Sequence, residues 1–164
     1  MGKETSSRII NMDVDHGTTL VSPNHMQMEQ KTALQDLLED SYFQPVNDDN
    51  GPYDLRLSVE QSRLVLRMRN DAETELPTLV LSIRPYQRLI QDYFLMIESY
   101  ENARKHSTRE KLEAIDMGRR GVHNEGAELI ISRLKDKIEI DHDTARRFFT
   151  LICSLLQKDL RLMR

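Results

Sequence analysis

A single cysteine, Cys153, is present in the whole chain. An intramolecular disulfide is therefore excluded, and so is a cysteine-based zinc finger. Cys153 lies in the apolar run Phe148-Phe149-Thr150-Leu151-Ile152-Cys153-Ser154-Leu155-Leu156, which reads as a buried structural thiol. A nucleophile needs a lowered pKa and access to solvent, and this context offers neither. No run reaches the roughly 18 apolar residues of a membrane helix. The stretch Met1 to Arg8 lacks the apolar centre of a signal peptide. These absences lead us to expect a cytoplasmic protein with no membrane partner. Strong charge is lacking too: 23 Lys plus Arg against 27 Asp plus Glu give a net of -4. That balance argues against broad nucleic-acid binding, which needs several clustered phosphate contacts. With 164 residues, one domain spanning 1–164 is expected, with 1–7 and 158–164 frayed.

The charge is unevenly spread. Residues 1–82 hold 7 basic and 14 acidic side chains, whereas 83–164 hold 16 basic and 13 acidic, a net of +3. An anion site is thus more plausible in the second half.

Ile10, Met12 and Val14 alternate with Asn11 and Asp13 and predict a short strand. Pro23-Asn24 precedes a helix with an imperfect stripe of Met28, Ala33, Leu34, Leu37 and Leu38. Asn47 to Pro52 is a turn-rich loop. Its adjacent acids lack the alternating oxygen frame and closing Glu of a calcium loop. Tyr53, Leu55, Leu57 and Val59, then Leu64, Leu66 and Met68, then Leu79, Leu81 and Ile83 predict three strands. Their short links favour antiparallel hairpins. Arg56, Arg63, Arg67 and Arg69 decorate the outer face without the interleaved aromatics of an RNA-binding sheet.

The remainder reads as helical. Pro85 can open a helix whose Tyr86, Leu89, Ile90, Tyr93, Phe94, Ile97 and Tyr100 share one face. Ser107-Thr108-Arg109-Glu110 matches a capping box ahead of Leu112 and Ile115. Leu129, Ile130, Ile131, Leu134 and Ile138 mark another helix. Asp141 or Asp143 would cap the last, which carries Ala145, Phe148, Phe149, Ile152, Leu155 and Leu156. Strands first and helices later predict an α+β fold: an antiparallel sheet of about four strands, helices packed on one face, and a helical C-terminal half.

One segment breaks the local rules. Asp116 to Gly126 holds three of the six glycines, Gly118, Gly121 and Gly126, and each costs roughly 1 kcal/mol inside a helix. Two explanations stand open. If the helix runs through, Ala114, Gly118 and Gly121 form a small-residue stripe for close packing, and Asp116 pairs with Arg120. If it breaks and restarts with Asn124 as N-cap, free amides and the pair Arg119 and Arg120 can hold an anion. His123 would then be a donor, acid or base. On this second view the ligand-binding residues are Arg119, Arg120, His123 and Asn124, and His123 and Glu125 are the weak catalytic candidates. Asp116, Gly118, Gly121 and Gly126 are structural. The phosphate-binding loop and the paired-histidine zinc helix are absent. The zinc deaminase pattern fails for want of cysteines. His16, His25, His106 and His142 are scattered. No metal or cofactor is expected.

The run Ala114-Ile115-Asp116-Met117-Gly118-Arg119-Arg120-Gly121, followed by His123-Asn124-Glu125-Gly126, resembles the hallmark of an uncharacterised family of small alphaproteobacterial proteins carrying a UPF label. Asp36-Leu37-Leu38-Glu39, Gly51-Pro52-Tyr53, Arg63-Leu64-Val65, Asp92-Tyr93-Phe94, Glu98-Ser99-Tyr100, Asp143 to Arg147 and Phe149 to Cys153 carry the resemblance further, over residues 34–153. It implies a bacterial cytoplasmic protein and assigns no catalytic or binding residue. Asn24 to Lys31 and Ser154 to Arg164 depart from the family pattern.

The expected function is a cytosolic binding or regulatory protein whose Gly118–Gly126 segment holds a small anion or an acidic partner surface. Its alternatives are a small enzyme acting on a phosphorylated or carboxylated metabolite, and an RNA- or ribosome-associated protein. The Met-containing first helix or the basic tail would serve a homodimer.

Overall fold

The computed structural model of the chain describes residues 6–15 and 24–162, with side chains over 6–15 and 26–156. The expected fraying of 1–5 and 163–164, the surroundings of His16 and His25, and any role of the basic tail's side chains lie outside the described residues.

Chain order runs β1 (Ile9–Asp15), α1 (Asn24–Glu39), β2 (Phe43–Pro45), β3 (Tyr53–Glu60), β4 (Arg63–Arg69) and β5 (Leu79–Ser82). A 3-10 turn over Arg84–Tyr86, with Pro85 in its first turn, leads into α2 (Gln87–His106). Then follow α3 (Arg109–Leu134), β6 (Ile138–Ile140) and α4 (His142–Leu162). The class is α+β with a helical C-terminal half.

The main sheet has the order β1-β3-β4-β5. Strands β3, β4 and β5 form an antiparallel meander. Gln61 and Ser62 make its first turn with φ of 53° and 61°, the left-handed pair that a two-residue hairpin demands. Edge strand β1 runs parallel to β3, so the sheet is mixed rather than wholly antiparallel. The reason is connection length: the hairpin links are too short for anything but antiparallel return, whereas β1 reaches β3 through α1 and β2.

Within β1 a register shift falls between Ile9 and Asn11. It buries Ile9 and Met12 and leaves Ile10 49% exposed, reversing the inward place expected for Ile10. A second, two-stranded sheet pairs β2 with β6, Phe43 opposite Ile140 and Pro45 opposite Ile138. Ile138 thus belongs to a strand, not to the stripe of α3, which ends at Leu134. Ser6 and Ser7, expected to fray, are tied down: Ser7 is buried, its Oγ donates to Gln44 Oε1 at 2.6 Å, and its carbonyl accepts from Phe43 N at 3.0 Å. At the other end the backbone of α4 continues to Leu162.

Helix ends follow side-chain chemistry. Thr108, not Ser107, caps α3, its Oγ1 accepting from Lys111 N at 3.3 Å; Ser107 closes α2 instead. Asp141 caps α4, its Oδ1 accepting from Thr144 N at 2.9 Å. The core joins Leu55, Leu57, Leu64, Leu66 and Met68 of the sheet to Leu37 of α1, Tyr93 of α2, Ile130 of α3 and Phe149 of α4. On the opposite face Arg56, Arg67 and Arg69 are about half exposed, so the helices cover one face only. The inner stripe of α1 differs from the expected one. Met26, Ala33 and Leu37 are buried, but Met28 and Leu38, expected on the inner stripe, are 67% and 42% exposed.

A polar seam between helices as candidate functional site

The Asp116–Gly126 segment lies inside one unbroken α-helix, α3. Asn124 is therefore no N-cap, and the amides that an interrupted helix would free are engaged in the helix. The glycines divide by surroundings. A Cβ on Gly126 would stand 2.4 Å from Phe149 Cδ1, so Gly126 is where α4 approaches closely. On Gly118 it would stand 3.2 Å from the flexible end of Met96, and on Gly121 it would meet nothing within 4 Å. The close approach thus falls at Gly126, not along Ala114, Gly118 and Gly121.

Asp116, Arg119 and His123 sit at i, i+3 and i+7 and share one face. Arg119 Nη2 donates to Asp116 Oδ1 at 3.0 Å, and Arg120 Nη2 pairs with Asp116 Oδ2 at 3.1 Å. The two arginines do clamp a carboxylate, but that carboxylate is Asp116. Arg119 also reaches Glu29 of α1 at 3.5 Å. Arg120, 69% exposed, stands at the outer side. Asn124 and Glu125 are exposed, and Glu125 is offset about 200° around the helix from His123. The structure therefore does not bring His123 and Glu125 together.

His123 is held by rings. Its centroid is 4.9 Å from that of Tyr93 and 5.7 Å from that of Phe149, and Tyr93 and Phe149 are 6.2 Å apart, all edge-on. Burial pushes its pKa down to about 4, helped by the charges of Arg146, Arg119 and Arg147. Its ring is therefore neutral at pH 7. Tyr93 is fully buried, and its hydroxyl has no hydrogen-bond partner among the described residues. Burial raises the Tyr93 pKa, and the charges of Glu29 and Arg119 are felt at the hydroxyl.

Helix α4 completes the seam. Arg146, Thr150 and Cys153, at i, i+4 and i+7, share a face. Cys153 is wholly buried; burial pushes its thiol pKa up, with Glu29 adding to the effect. This is the inert thiol that its apolar run predicts. Because Glu29 of α1 pairs with Arg119 of α3 and Gln30 of α1 bonds to Ser154 of α4, α1 lies across both helices. Arg147 pairs with Asp36 of α1 at 3.2 Å, and Gln30 Nε2 of α1 donates to Ser154 Oγ at 3.0 Å. Arg146 differs: its buried Nε has no acceptor among the described residues.

Tyr93 and Phe149 read from sequence as plain core, Arg146 only as part of the stretch Asp143 to Arg147, and Glu29 only as part of Asn24 to Lys31. The available signal was Arg146 standing four and seven residues before Thr150 and Cys153, beside the apolar stripe of the last helix. No group of three or more potential metal ligands occurs among the described residues. No described helix is long and apolar enough to cross a membrane.

The fold and seam define a small α+β protein with a partly exposed seam of arginines and carboxylates among its helices. The chain belongs to the uncharacterised protein family UPF0262, whose model matches residues 6–158. It is 44% identical to the UPF0262 protein mll6455 of Mesorhizobium japonicum, over 93% of this chain and 94% of that protein. It is 46% identical to the UPF0262 protein PHZ_c2197 of Phenylobacterium zucineum, over 90% and 92%. With the UPF0262 protein R00612 of Rhizobium meliloti the identity is 43%, over 94% and 98%. No solved structure matches.

Proposed function

We propose that this is a cytoplasmic binding protein without catalysis, which holds an oxyanion in the seam between α3 and α4. One observation carries the reading. Three guanidiniums bear on His123; Arg119 and Arg147 are engaged by carboxylates, while Arg146 Nε is buried without an acceptor. A buried donor without a partner costs about 1–3 kcal/mol, and a phosphate or carboxylate oxygen would satisfy it with charge assistance. The imidazole of His123, on which the Arg146 charge acts, offers one further N–H donor when neutral.

The test is a thermal-shift screen of phosphorylated metabolites, nucleotides and small carboxylates on the wild type and on Arg146→Ala. A ligand at 100 times its Kd adds about 2.7 kcal/mol. At roughly 2–4 °C per kcal/mol for a chain of this size, the midpoint should rise by about 5–11 °C. The rise should vanish in folded Arg146→Ala. A panel that moves neither protein removes the reading and leaves the seam a purely structural junction.

A further inference from the structure

We propose that α1 is a built-in acidic cover over this seam, so that the docked helix and an oxyanion compete for the same arginines. The inference rests on the anion-binding reading above and concerns its regulation.

Glu29 and Asp36 lie seven residues apart on α1, hence on one face and about 10 Å apart along the axis. Glu29 meets Arg119 of α3 at 3.5 Å, and Asp36 meets Arg147 of α4 at 3.2 Å. With α1 docked, two of the three arginines whose charges act on His123 are therefore engaged by carboxylates of α1, and at Arg146 the buried Nε has no acceptor among the described residues. The contacts are of a kind that can be exchanged. The Glu29–Arg119 pair is long for a charge-assisted bond, and both pairs keep 29–43% of their side-chain surface in solvent. Helix α1 is also held by the Gln30–Ser154 bond, by the buried Met26, Ala33 and Leu37 and by Leu34 packed against the core. The helical packing also holds buried polar atoms without a hydrogen-bond partner among the described residues, the Tyr93 hydroxyl and Arg146 Nε. An oxyanion with several acceptors would take Arg146 first and then draw Arg119 and Arg147 from α1. Because coupling is reciprocal, α1 docking lowers anion affinity by the same factor by which the anion weakens docking. A site open in only a fraction of molecules binds more weakly by that fraction.

The experiment uses the full chain. Inorganic phosphate and citrate, at constant ionic strength, are titrated calorimetrically into the wild type, Glu29→Gln/Asp36→Asn and Arg146→Ala. These neutral replacements keep shape while removing the competing charges. The cover predicts that the double variant binds at least one of the anions five- to tenfold more tightly than the wild type, and that Arg146→Ala loses binding. Hydrogen exchange of the α1 amides in the wild type supplies an independent readout should the double variant fold poorly. Saturating anion should speed their exchange. Wild-type binding together with unchanged affinity in the double variant, or with unchanged α1 exchange, overturns the cover and leaves the anion site standing. Absence of binding to the wild type and to the folded double variant overturns both.

Discussion

The outer face of the sheet and the helical seam both carry arginines, and they handle them differently. On the sheet, Arg56 pairs with Asp15 at 2.9 Å, Arg69 with Glu75 at 3.4 Å, and Arg67 with both carboxylate oxygens of Glu60. The hydrogen bond from Arg67 comes first among the causes that hold Glu60 down at about 2. All of these groups stand in water. A groove of about 350 Å³ between them is lined by Asp13, Asp54 and Glu75 as well as the arginines, so its charges cancel. In the seam Arg119, Arg120 and Arg147 are paired too, but Arg146 Nε and the Tyr93 hydroxyl are buried without a partner among the described residues, and the guanidinium charges press on a mostly buried imidazole. The same residue types are a solvated decoration in one place and an unsettled electrostatic balance in the other. Solvent exposure, rather than arginine count, makes the difference.

The sharpest way to break this comparison is acid. His123 sits at about 4 in the folded chain, against an ordinary 6.5. The unfolded chain takes up this proton as pH falls through 6.5, and the folded chain only near 4. The stability tied to His123 is therefore whole above pH 6.5 and is lost as pH falls toward 4. At 1.36 kcal/mol per pH unit this amounts to about 3 kcal/mol. His123→Phe keeps a ring against Tyr93 and Phe149 and cannot be protonated. Unfolding of both proteins at pH 7, 5.5 and 4 should show the wild type losing more by about that amount. Parallel losses would mean that His123 is not held away from water and charge as described.

A smaller effect separates two glycines on the same helix. Gly126→Ala forces a methyl into the fully buried Phe149 ring and should cost about 2 kcal/mol. Gly121→Ala points into open space and should gain up to about 1 kcal/mol from helix propensity. Urea melts of the two variants decide this directly, and equal signs would refute the assignment of the close approach to Gly126. The smallest effect belongs to the sheet. Arg69→Ala breaks a pair whose side chains are 51% and 80% exposed and should change stability by less than about 0.5 kcal/mol. A loss of several kcal/mol there would show that the sheet face is not merely solvated.

Much of this was legible beforehand. Period-two alternation located β3 and β4 because one sheet face is buried and the other wet. Pro85 and Asp141 marked helix starts through their backbone chemistry. Other points escaped local reading. Ser107-Thr108 offers two adjacent hydroxyls, and the residue at which α2 ends decides which becomes the cap of α3. Ile10 and Ile9 are the same residue type, and a bulge decides which turns inward. The loop from Asn47 to Pro52 reads as a turn, but its anchoring does not: Asp48 Oδ2 accepts from the Tyr53 hydroxyl and its Oδ1 from Asn70, both at 2.9 Å. Burial alone would raise the Asp48 pKa, and bonds from Asn70, the Asn50 amide and Tyr53 bring it below the ordinary carboxylate range.

Sequence alone determined the α+β class, the buried thiol, strands β3 and β4, the apolar stripes of α2 and α4 and the Asp116–Arg120 spacing, because each shows in the pattern of residues near one another in the chain. Tertiary structure decided that α3 runs unbroken and that Gly126 rather than Gly121 is the point of contact. It also decided that Arg119 answers to Glu29, and that Arg146 is the arginine left with an open donor. Those facts depend on where α1 and α4 lie across α3. That placement is set by the packing of helices distant in sequence, which no local spacing encodes.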